Sequence, residues 1–217
     1  MKNSFDLIIF DWDGTLIDSI NWITDCLIQA GEYCQFKAPE RQAARHVIGL
    51  SSYEAMRKLY PEADEGMRQQ LVKHYSEAYF SKQLSAEDLF EGVLDMLWQL
   101  KDSGYQLAVA TGKTRRGLNQ ALTDTGTTAL FTTTRCADET ASKPDPKMLY
   151  EIMQHTNTNK QRTLMVGDSV HDLQMAKNAD ISAIAVCCGA HTEEFLRPFQ
   201  PLHCLQQPTE LLAYFQD

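Results

Sequence analysis

Segments with strand-like and helix-like patterns alternate through the second half of the chain, and this alternation restricts the folds available to it. A first apolar run, Leu7-Ile8-Ile9-Phe10, has the length and branching of a buried strand. Strands that alternate with helices indicate parallel βαβ units, so we predict an α/β fold with a doubly wound parallel sheet. Further strands are predicted over 106–110, 131–134, 163–166 and 182–187, with an edge strand near 202–205. Helices are predicted over about 93–103, 114–125, 148–153, 170–179 and 210–215.

The segment 18–85 shows only helical patterns. Apolar residues recur there at helical spacing in four stretches, and no stretch has the alternation of a strand. We therefore predict a helical bundle over 18–85, inserted after the first strand, with 1–17 and 86–217 together forming the α/β core. The chain crosses between the two parts near Leu16–Ser19 and Ser81–Gly92, and paired crossings of this kind can act as hinges.

The composition is that of a globular chain and limits its partners. Of the 217 residues, 43% are hydrophobic and 23% are charged, and the length suffices for a sizeable core. The formal net charge of −9 argues against nucleic acid or an anionic membrane as the main partner, but it allows a small anionic substrate.

The N-terminal segment has the pattern of neither a signal peptide nor a membrane span. Six cysteines without CxxC spacing are expected to be free thiols in a reducing cytoplasm. The sequence does not decide between a monomer and a dimer.

The stretch Asp11-Trp12-Asp13-Gly14-Thr15 follows the first predicted strand directly. In extended chain, residues i and i+2 point to the same side, so the carboxylates of Asp11 and Asp13 would project together. Like charges at this separation repel, and a bound cation or a catalytic role would explain their proximity. Because ligands of open α/β sheets bind at the carboxyl ends of the strands, this loop is a candidate site. An acidic surface turn is the alternative interpretation.

The motif Thr111-Gly112-Lys113 follows the predicted strand 106–110. A hydroxyl group and free amides at a helix N-terminus can bind an anion, and a simple helix cap is the alternative. Lys113, Arg115 and Arg116 crowd this helix start, where the helix dipole disfavours each cation by roughly a few tenths of a kcal/mol. A nearby anion, or solvent, would offset that cost.

Two further motifs come later in the chain. In Ser142-Lys143-Pro144-Asp145-Pro146, the proline keeps the preceding lysine in extended backbone, which makes it a fixed cation before the next helix. An exposed loop lysine is the alternative there. In Gly167-Asp168-Ser169-Val170-His171-Asp172, Asp172 follows Asp168 by one helical turn, so both carboxylates can approach one point. A plain N-cap role is the alternative for Asp168, and we expect His171 to lie on the surface or to support the site from outside.

Together these motifs place carboxylates, a threonine hydroxyl and lysines at or just beyond the ends of separate parallel strands. Carboxylate oxygens are the ligands that Mg²⁺ prefers. A hydroxyl group, backbone amides and a lysine suit the non-bridging oxygens of a phosphoryl group. One carboxylate can attack phosphorus while a second acid protonates the leaving oxygen and then activates water. This set of groups is suited to phosphoryl transfer.

In this order, DWDGTLIDS, TGK, SKPDP and GDSVHD resemble the four motifs of the haloacid dehalogenase superfamily. The likeness covers nearly the whole chain and is greatest to the phosphoglycolate phosphatase-like branch, in which a helical cap follows the first motif. The resemblance implies a Rossmann-like core with Mg²⁺ as the cofactor. It also implies that Asp11 is the nucleophile and a metal ligand, and that Asp13 is the general acid/base and gives its backbone carbonyl to the metal.

The resemblance assigns roles to the later motifs as well. It implies that Thr111 and Lys143 bind the phosphoryl group, with the amide of Gly112 near it. It implies that Asp168 is a metal ligand and that Asp172 is a supporting or water-mediated one.

Two departures from the family's pattern affect these expectations. Trp12 is bulkier than the apolar residue usual between the two aspartates, and we expect it to point away from the site. The first helix of the insertion lacks the histidine found there in the phosphohexomutase relatives, which weakens a mutase interpretation. Asp13 in turn weakens a dehalogenase interpretation, because that branch lacks an acid at the equivalent place.

The segment Arg45-His46-Val47-Ile48-Gly49-Leu50 resembles the specificity loop of the family's caps. Arg45 or His46 would then touch the remote end of the substrate. We take Arg45, Gly49, Gly112 and Lys113 as candidate substrate-binding residues. An ordinary passage from helix to loop is the alternative for the segment.

We therefore predict a Mg²⁺-dependent phosphatase, a phosphoric monoester hydrolase, with a cap that closes over its site. Its substrate would be a small phosphorylated metabolite of the phosphoglycolate or sugar-phosphate type, and the family likeness does not identify it further. A phosphosugar mutase of the same fold is the first alternative. A receiver-like signalling module that accepts phosphate on aspartate is the second, although a helical block near its start is unexpected.

Overall fold

A parallel sheet of six strands forms the centre of the protein, in the order β3-β2-β1-β4-β5-β6. The structure is a computed structural model and describes residues 4–215. Every residue of β1 is buried, because the strand lies between β2 and β4 and is covered on both faces. The strands are β1 (Leu7–Phe10), β2 (Gln106–Thr111), β3 (Thr133–Cys136), β4 (Thr163–Gly167), β5 (Ser182–Val186) and β6 (Cys204–Leu205).

The helices pack on both faces of this sheet, which confirms the predicted doubly wound α/β fold. Side chains alternate along β1, so Ile8 and Phe10 join one apolar cluster while Leu7 and Ile9 join another. The first cluster lies against α5 (Val93–Asp102) and α6 (Arg115–Asp124), and Trp12 is buried in it, edge-on to Phe131. The second lies against α7 (Lys147–Thr156) and α8 (Val170–Ala179).

Four helices separate β1 from the rest of the core and share an apolar cluster of their own. They are α1 (Ile20–Tyr33), α2 (Arg41–His46), α3 (Ser52–Leu59) and α4 (Glu65–Tyr79). Ile20, Ile23, Leu27 and Ala30 recur on one face of α1 and are buried in this cluster. We call the segment from α1 to α4 the helical insertion.

The two chain crossings between the insertion and the core lie side by side. Asp18 N donates to Asp88 O at 2.9 Å, and Phe90 N donates to Leu16 O at 3.1 Å. Ile17 and Leu89 form an isolated antiparallel bridge between these bonds. The crossings therefore support each other as a short ribbon, and their action as hinges stays a prediction.

The C-terminal part differs from the sequence expectations in detail. The predicted helix at 210–215 is instead a 3-10 helix, Pro208–Tyr214, in which Pro208 and Leu211 are buried. A spacing of three residues between buried positions matches the three residues per turn of this helix. The segment after β5 contains a short helix, α9 (Glu193–Leu196), and a 3-10 helix, Arg197–Phe199, before the edge strand β6. Among the residues that the structure describes, no helix is long and apolar enough to cross a membrane.

Gly31 provides a test of the packing inside the insertion. A Cβ atom at this position would lie 2.0 Å from the hydroxyl oxygen of Tyr60, which is buried and donates to Leu27 O at 2.9 Å. We expect Gly31→Ala to lower the free energy of unfolding by about 1–3 kcal/mol, because the added methyl group overfills a packed site. Urea denaturation measures the change.

Gly66→Ala is the matched control. Gly66 is exposed in α4, and its added Cβ would approach Asp64 Oδ1 no closer than 3.5 Å. This substitution should leave stability unchanged or raise it slightly, because alanine is the better helix former. An equal effect of the two substitutions would contradict the packing described for Tyr60.

Candidate active site

Residues from four parts of the core meet at the carboxyl end of the sheet. Asp11 directly follows β1, Thr111 is the last residue of β2, and Asp168 directly follows β4. Lys143 comes from the loop between β3 and α7, and its peptide bond to Pro144 is cis. The parallel register of β1 with both β2 and β4 aligns their carboxyl ends and so brings these side chains together.

The ammonium group of Lys143 lies buried between two carboxylates. Its Nζ is 2.7 Å from Asp11 Oδ1 and 2.6 Å from Asp172 Oδ1, and the side chain has no exposed surface. Burial alone would lower the pKa of Lys143, but Asp11 and Asp172 raise it above its ordinary value. Lys143 is therefore a permanent, fixed cation beside Asp11.

Asp172 holds this cation and the start of α8 at once. Its Oδ2 accepts hydrogen bonds from the Ser169 amide at 3.1 Å and the Ser169 hydroxyl at 2.5 Å, while Ser169 caps the Asp172 amide in return. This is a capping box, and Oδ1 is engaged by Lys143. Both oxygens thus contact groups of the protein, and Asp172 positions Lys143. The predicted role of Asp172 as a supporting or water-mediated metal ligand stays a prediction.

Three carboxylates in the site could hold a metal ion. Asp11, Asp168 and Asp172 are all buried, and one oxygen of each lies within 4.8 Å of the others. Asp11 Oδ2 is buried without a hydrogen-bond partner in the structure. An all-carboxylate donor set suits Mg²⁺, so the residues fit the metal that the sequence predicted.

The environment of Asp168 also favours a cation. Asp168 Oδ1 accepts from the Thr15 hydroxyl at 3.0 Å, and Oδ2 accepts from the Ala190 amide at 2.6 Å. Burial, with a contribution from the Asp172 charge, raises the pKa of Asp168 to about 7. Burial likewise raises the pKa of Asp11 despite the adjacent lysine, and Asp172 and Asp168 add to this effect. One ammonium group does not neutralise three buried carboxylates, which leaves room for a divalent cation.

Asp13 lies outside the group of three carboxylates and has different partners. Its Oδ1 accepts from the Ser19 hydroxyl at 2.7 Å, and its Oδ2 lies 3.0 Å from Lys113 Nζ. Lys113 also donates to the hydroxyl of Tyr79 at 2.5 Å, and its Nζ lies 4.3 Å from the centre of that ring. A residue of the insertion therefore helps to hold the cation that orients Asp13.

The cations at the start of α6 have partners within the protein. Lys113 is paired with Asp13, and Arg115 donates two hydrogen bonds to Glu139. The Arg116 guanidinium lies over the ring of Phe80. Side chains of the protein therefore offset the helix-dipole cost that the sequence suggested a bound anion would offset.

Thr111 and Gly112 form the side of the site opposite Asp168. Thr111 is buried, and its hydroxyl oxygen accepts from the Lys113 amide at 3.2 Å, which leaves the hydroxyl proton free to donate. A Cβ on Gly112 would lie 2.3 Å from Leu50 O and 2.6 Å from Gly49 O. Only glycine permits this close approach of the insertion to the core.

A small cavity lies between the core and the insertion at this point. It leaves about 70 Å³ for the centres of water-sized molecules, compared with the roughly 10–15 Å³ that one bound water needs. Asp11, Asp13, Thr111, Gly112 and Lys113 line one side. Residues of the insertion, among them the predicted Gly49, line most of the rest, together with Phe80, Thr114 and Gly117.

The side chain of Arg45 contacts the loop after β5. Its guanidinium donates to Gly189 O at 2.8 Å and does not line the cavity, so this arrangement does not support the substrate contact that we expected of it. His46 stacks on His191, and its carbonyl lies 3.0 Å from His171 Nε2. His171 is thus buried where the insertion meets the core rather than on the surface.

Sequence reasoning missed several residues that shape the site. The loop after β5 supplies the Ala190 amide to Asp168, and a Cβ on Gly189 would lie 2.0 Å from Asp168 Oδ2. In the sequence, the only indication of this contact was Gly189 itself, in a segment without a clear helix or strand pattern. Tyr75 and Tyr79 of α4 line the cavity but follow the spacing of ordinary core residues.

The comparisons with known proteins agree with this architecture. A family model described as haloacid dehalogenase-like hydrolase matches residues 8–186. Since the match covers most of the chain, the protein belongs to the haloacid dehalogenase-like hydrolases, as the motifs predicted.

Similar proteins carry several names. Probable phosphatase IndB of Dickeya dadantii is 35% identical over 199 residues, which cover 90% of this chain and 86% of that protein. Pyrophosphatase PpaX of Halalkalibacterium halodurans is 29% identical over 206 residues, which cover 94% of each. A predicted phosphoglycolate phosphatase from Haemophilus somnus has a similar structure, with a TM-score of 0.85, 22% identity and 99% coverage of both chains. A β-phosphoglucomutase from Clostridium difficile shares the fold with a TM-score of 0.85 at 15% identity, covering 97% of this chain and 95% of the other.

The raised pKa of Asp168 predicts that Mg²⁺ affinity depends on pH. Below about pH 7 a proton occupies this carboxyl group and competes with the metal, so the affinity should fall by up to about tenfold for each further pH unit. Isothermal titration calorimetry between about pH 5.5 and pH 8 measures this dependence. Asp168→Asn is the comparison variant and should bind Mg²⁺ weakly throughout. An affinity of the wild-type protein that is constant over this range would contradict the described environment of Asp168.

Proposed function

We propose that this protein is a Mg²⁺-dependent phosphatase that hydrolyses a small phosphorylated metabolite through an aspartyl-phosphate intermediate. The observation that carries this proposal is the environment of Asp11, where one oxygen is held by Lys143 and the other is buried without a partner. The residue lines the cavity beside the hydroxyl of Thr111 and the amide of Gly112. The nucleophile, held by a fixed cation through its other oxygen, and neutral donors therefore border one small space.

In the first half of the reaction, a carboxylate oxygen of Asp11 attacks phosphorus and the bond to the leaving oxygen breaks. Asp13 gives its proton to that oxygen, so the product leaves as a neutral alcohol. Lys143, the Thr111 hydroxyl and the Gly112 amide stabilise the charge on the non-bridging oxygens. Mg²⁺ bound by Asp11 and Asp168 would supply further charge neutralisation to the same oxygens.

In the second half, Asp13 accepts a proton from a water molecule, whose oxygen forms a bond to phosphorus. The bond from phosphorus to Asp11 breaks, which releases inorganic phosphate and restores the carboxylate. The hydrogen bond from Ser19 and the contact with Lys113 orient the Asp13 side chain, which gives a proton in the first half and accepts one in the second. Asp13 can move protons because its side chain lies outside the group of three carboxylates.

The names of the relatives support a phosphatase. IndB is named a probable phosphatase and PpaX a pyrophosphatase, and each aligns with most of this chain. All six cysteines are free in the structure, which suits the reducing cytoplasm that we propose as its location.

Substitution of the two aspartates tests the proposal. With Mg²⁺ and an aryl phosphate, we expect Asp11→Asn to reduce phosphate release to background and to form no phospho-enzyme. Asp13→Asn should slow turnover by about 10²–10⁴-fold and accumulate phospho-enzyme, because the nucleophile remains while activation of water is lost. Phosphate release and the intact mass after an acid quench measure the two effects.

The control is Asp95→Asn, which changes an exposed aspartate of α5 and should retain wild-type activity. Removal of Mg²⁺ with EDTA should abolish the activity of the wild-type protein. Activity that survives Asp11→Asn would overturn the assignment of the nucleophile, and equal behaviour of the two site variants would overturn the division of roles.

A further inference from the structure

The wall of the cavity that faces away from Asp11 is apolar. Ile23 and Leu27 of α1, Val47 and Ile48 after α2, and Ala55 of α3 all line it. In phosphate ester hydrolysis this part of the space receives the leaving group, because the phosphoryl group lies against Asp11. A leaving group that fills this space is moved from water to aliphatic surroundings. This transfer favours an apolar leaving group over a charged one.

The cavity offers no unpaired cation to this leaving group. Among the described residues that line it, Lys113 is the only lysine or arginine. Its ammonium group is already paired with Asp13 at 3.0 Å and bonded to the Tyr79 hydroxyl. An anionic leaving group would have to displace Asp13 from this pair, and the described lining holds no second lysine or arginine to receive it.

The polar side chains that the insertion adds to this lining are neutral hydroxyl groups, those of Ser52, Tyr75, Ser76 and Tyr79. Tyr75 lines the cavity, and its hydroxyl has no hydrogen-bond partner among the described residues. Burial raises the pKa of Tyr75 above its ordinary value, so the hydroxyl stays protonated and can donate. It suits an uncharged oxygen of the substrate or a bound water.

We infer that the substrate is the phosphate monoester of a compact, uncharged alcohol with an apolar carbon body. This inference rests on the proposed function and narrows its substrate class. It disfavours both phosphoglycolate, whose leaving group carries a carboxylate, and pyrophosphate, whose leaving group is a second phosphate. The small volume of the cavity sets the limit on size.

A matched pair of esters tests the inference in the wild-type protein. Isobutyl phosphate has as many non-hydrogen atoms in its leaving group as phosphoglycolate, with two methyl groups in place of the carboxylate oxygens. We expect kcat/KM for isobutyl phosphate to exceed that for phosphoglycolate, and that for pyrophosphate, by about tenfold or more. A higher kcat/KM for either anionic compound would overturn the inference.

A cation placed in the apolar wall should change this preference. Ile23→Lys is expected to lower kcat/KM for isobutyl phosphate and to raise it for phosphoglycolate, so that their ratio falls by about tenfold or more. Gln29→Lys adds the same charge on the exposed face of α1 and should leave the ratio unchanged. If Ile23→Lys fails to fold, Val47→Lys is the second variant. The ratio of kcat/KM for isobutyl phosphate to that for phosphoglycolate in the wild-type protein tests the inference without either variant.

The outcomes separate this inference from the proposed function. Phosphate release from any of these compounds that depends on Asp11 supports the phosphatase, whichever is preferred. A phosphatase that prefers the anionic compounds would overturn the substrate class alone. Absence of Asp11-dependent release from all three and from aryl phosphate would overturn the phosphatase and the substrate class with it.

Discussion

The ion pairs of Lys143 with Asp11 and Asp172 hold the site together. Burial of charge is costly, and loss of one partner from a buried pair typically costs about 3–5 kcal/mol. Here the lysine has no exposed side-chain surface, and Asp172 also closes the capping box of α8. The first turn of that helix, the loop before α7 and the end of β1 are thereby tied to one ammonium group. The same contact fixes Oδ1 of Asp11.

A second cation, Lys113, connects this site to the helical insertion. It pairs with Asp13 in the core and with the hydroxyl and ring of Tyr79 in α4. Ser51 N also donates to Ser142 Oγ at 2.9 Å, next to Lys143 in the chain. Contacts that position the acid/base and close the cavity therefore come partly from the insertion. If the paired crossings act as hinges, as the sequence predicts, a movement there would break these contacts.

The sequence predicted the α/β core and the strand ends well because both depend on local patterns. Apolar runs marked most of the strands, and the aspartates and lysine of the motifs lie where the parallel register brings strand ends together. The partners of those residues could not be predicted in the same way. Asp172 holds Lys143 across 29 residues and Ala190 holds Asp168 across 22, and nothing in the local pattern encodes such contacts. Arg45 donates to Gly189 O in the structure, and the substrate contact that the resemblance suggested for it stays a prediction.

The stability of Lys143→Met with and without Mg²⁺ tests most directly whether the buried carboxylates require both a fixed cation and a metal. In EDTA we expect urea denaturation to show a loss of about 3–5 kcal/mol relative to wild type. Mg²⁺ should stabilise both proteins, and the variant more, because its carboxylates lack their cation. Lys147→Met, at an exposed lysine of α7, should behave like wild type. Stability that does not respond to Mg²⁺ in either the wild type or Lys143→Met would contradict the account.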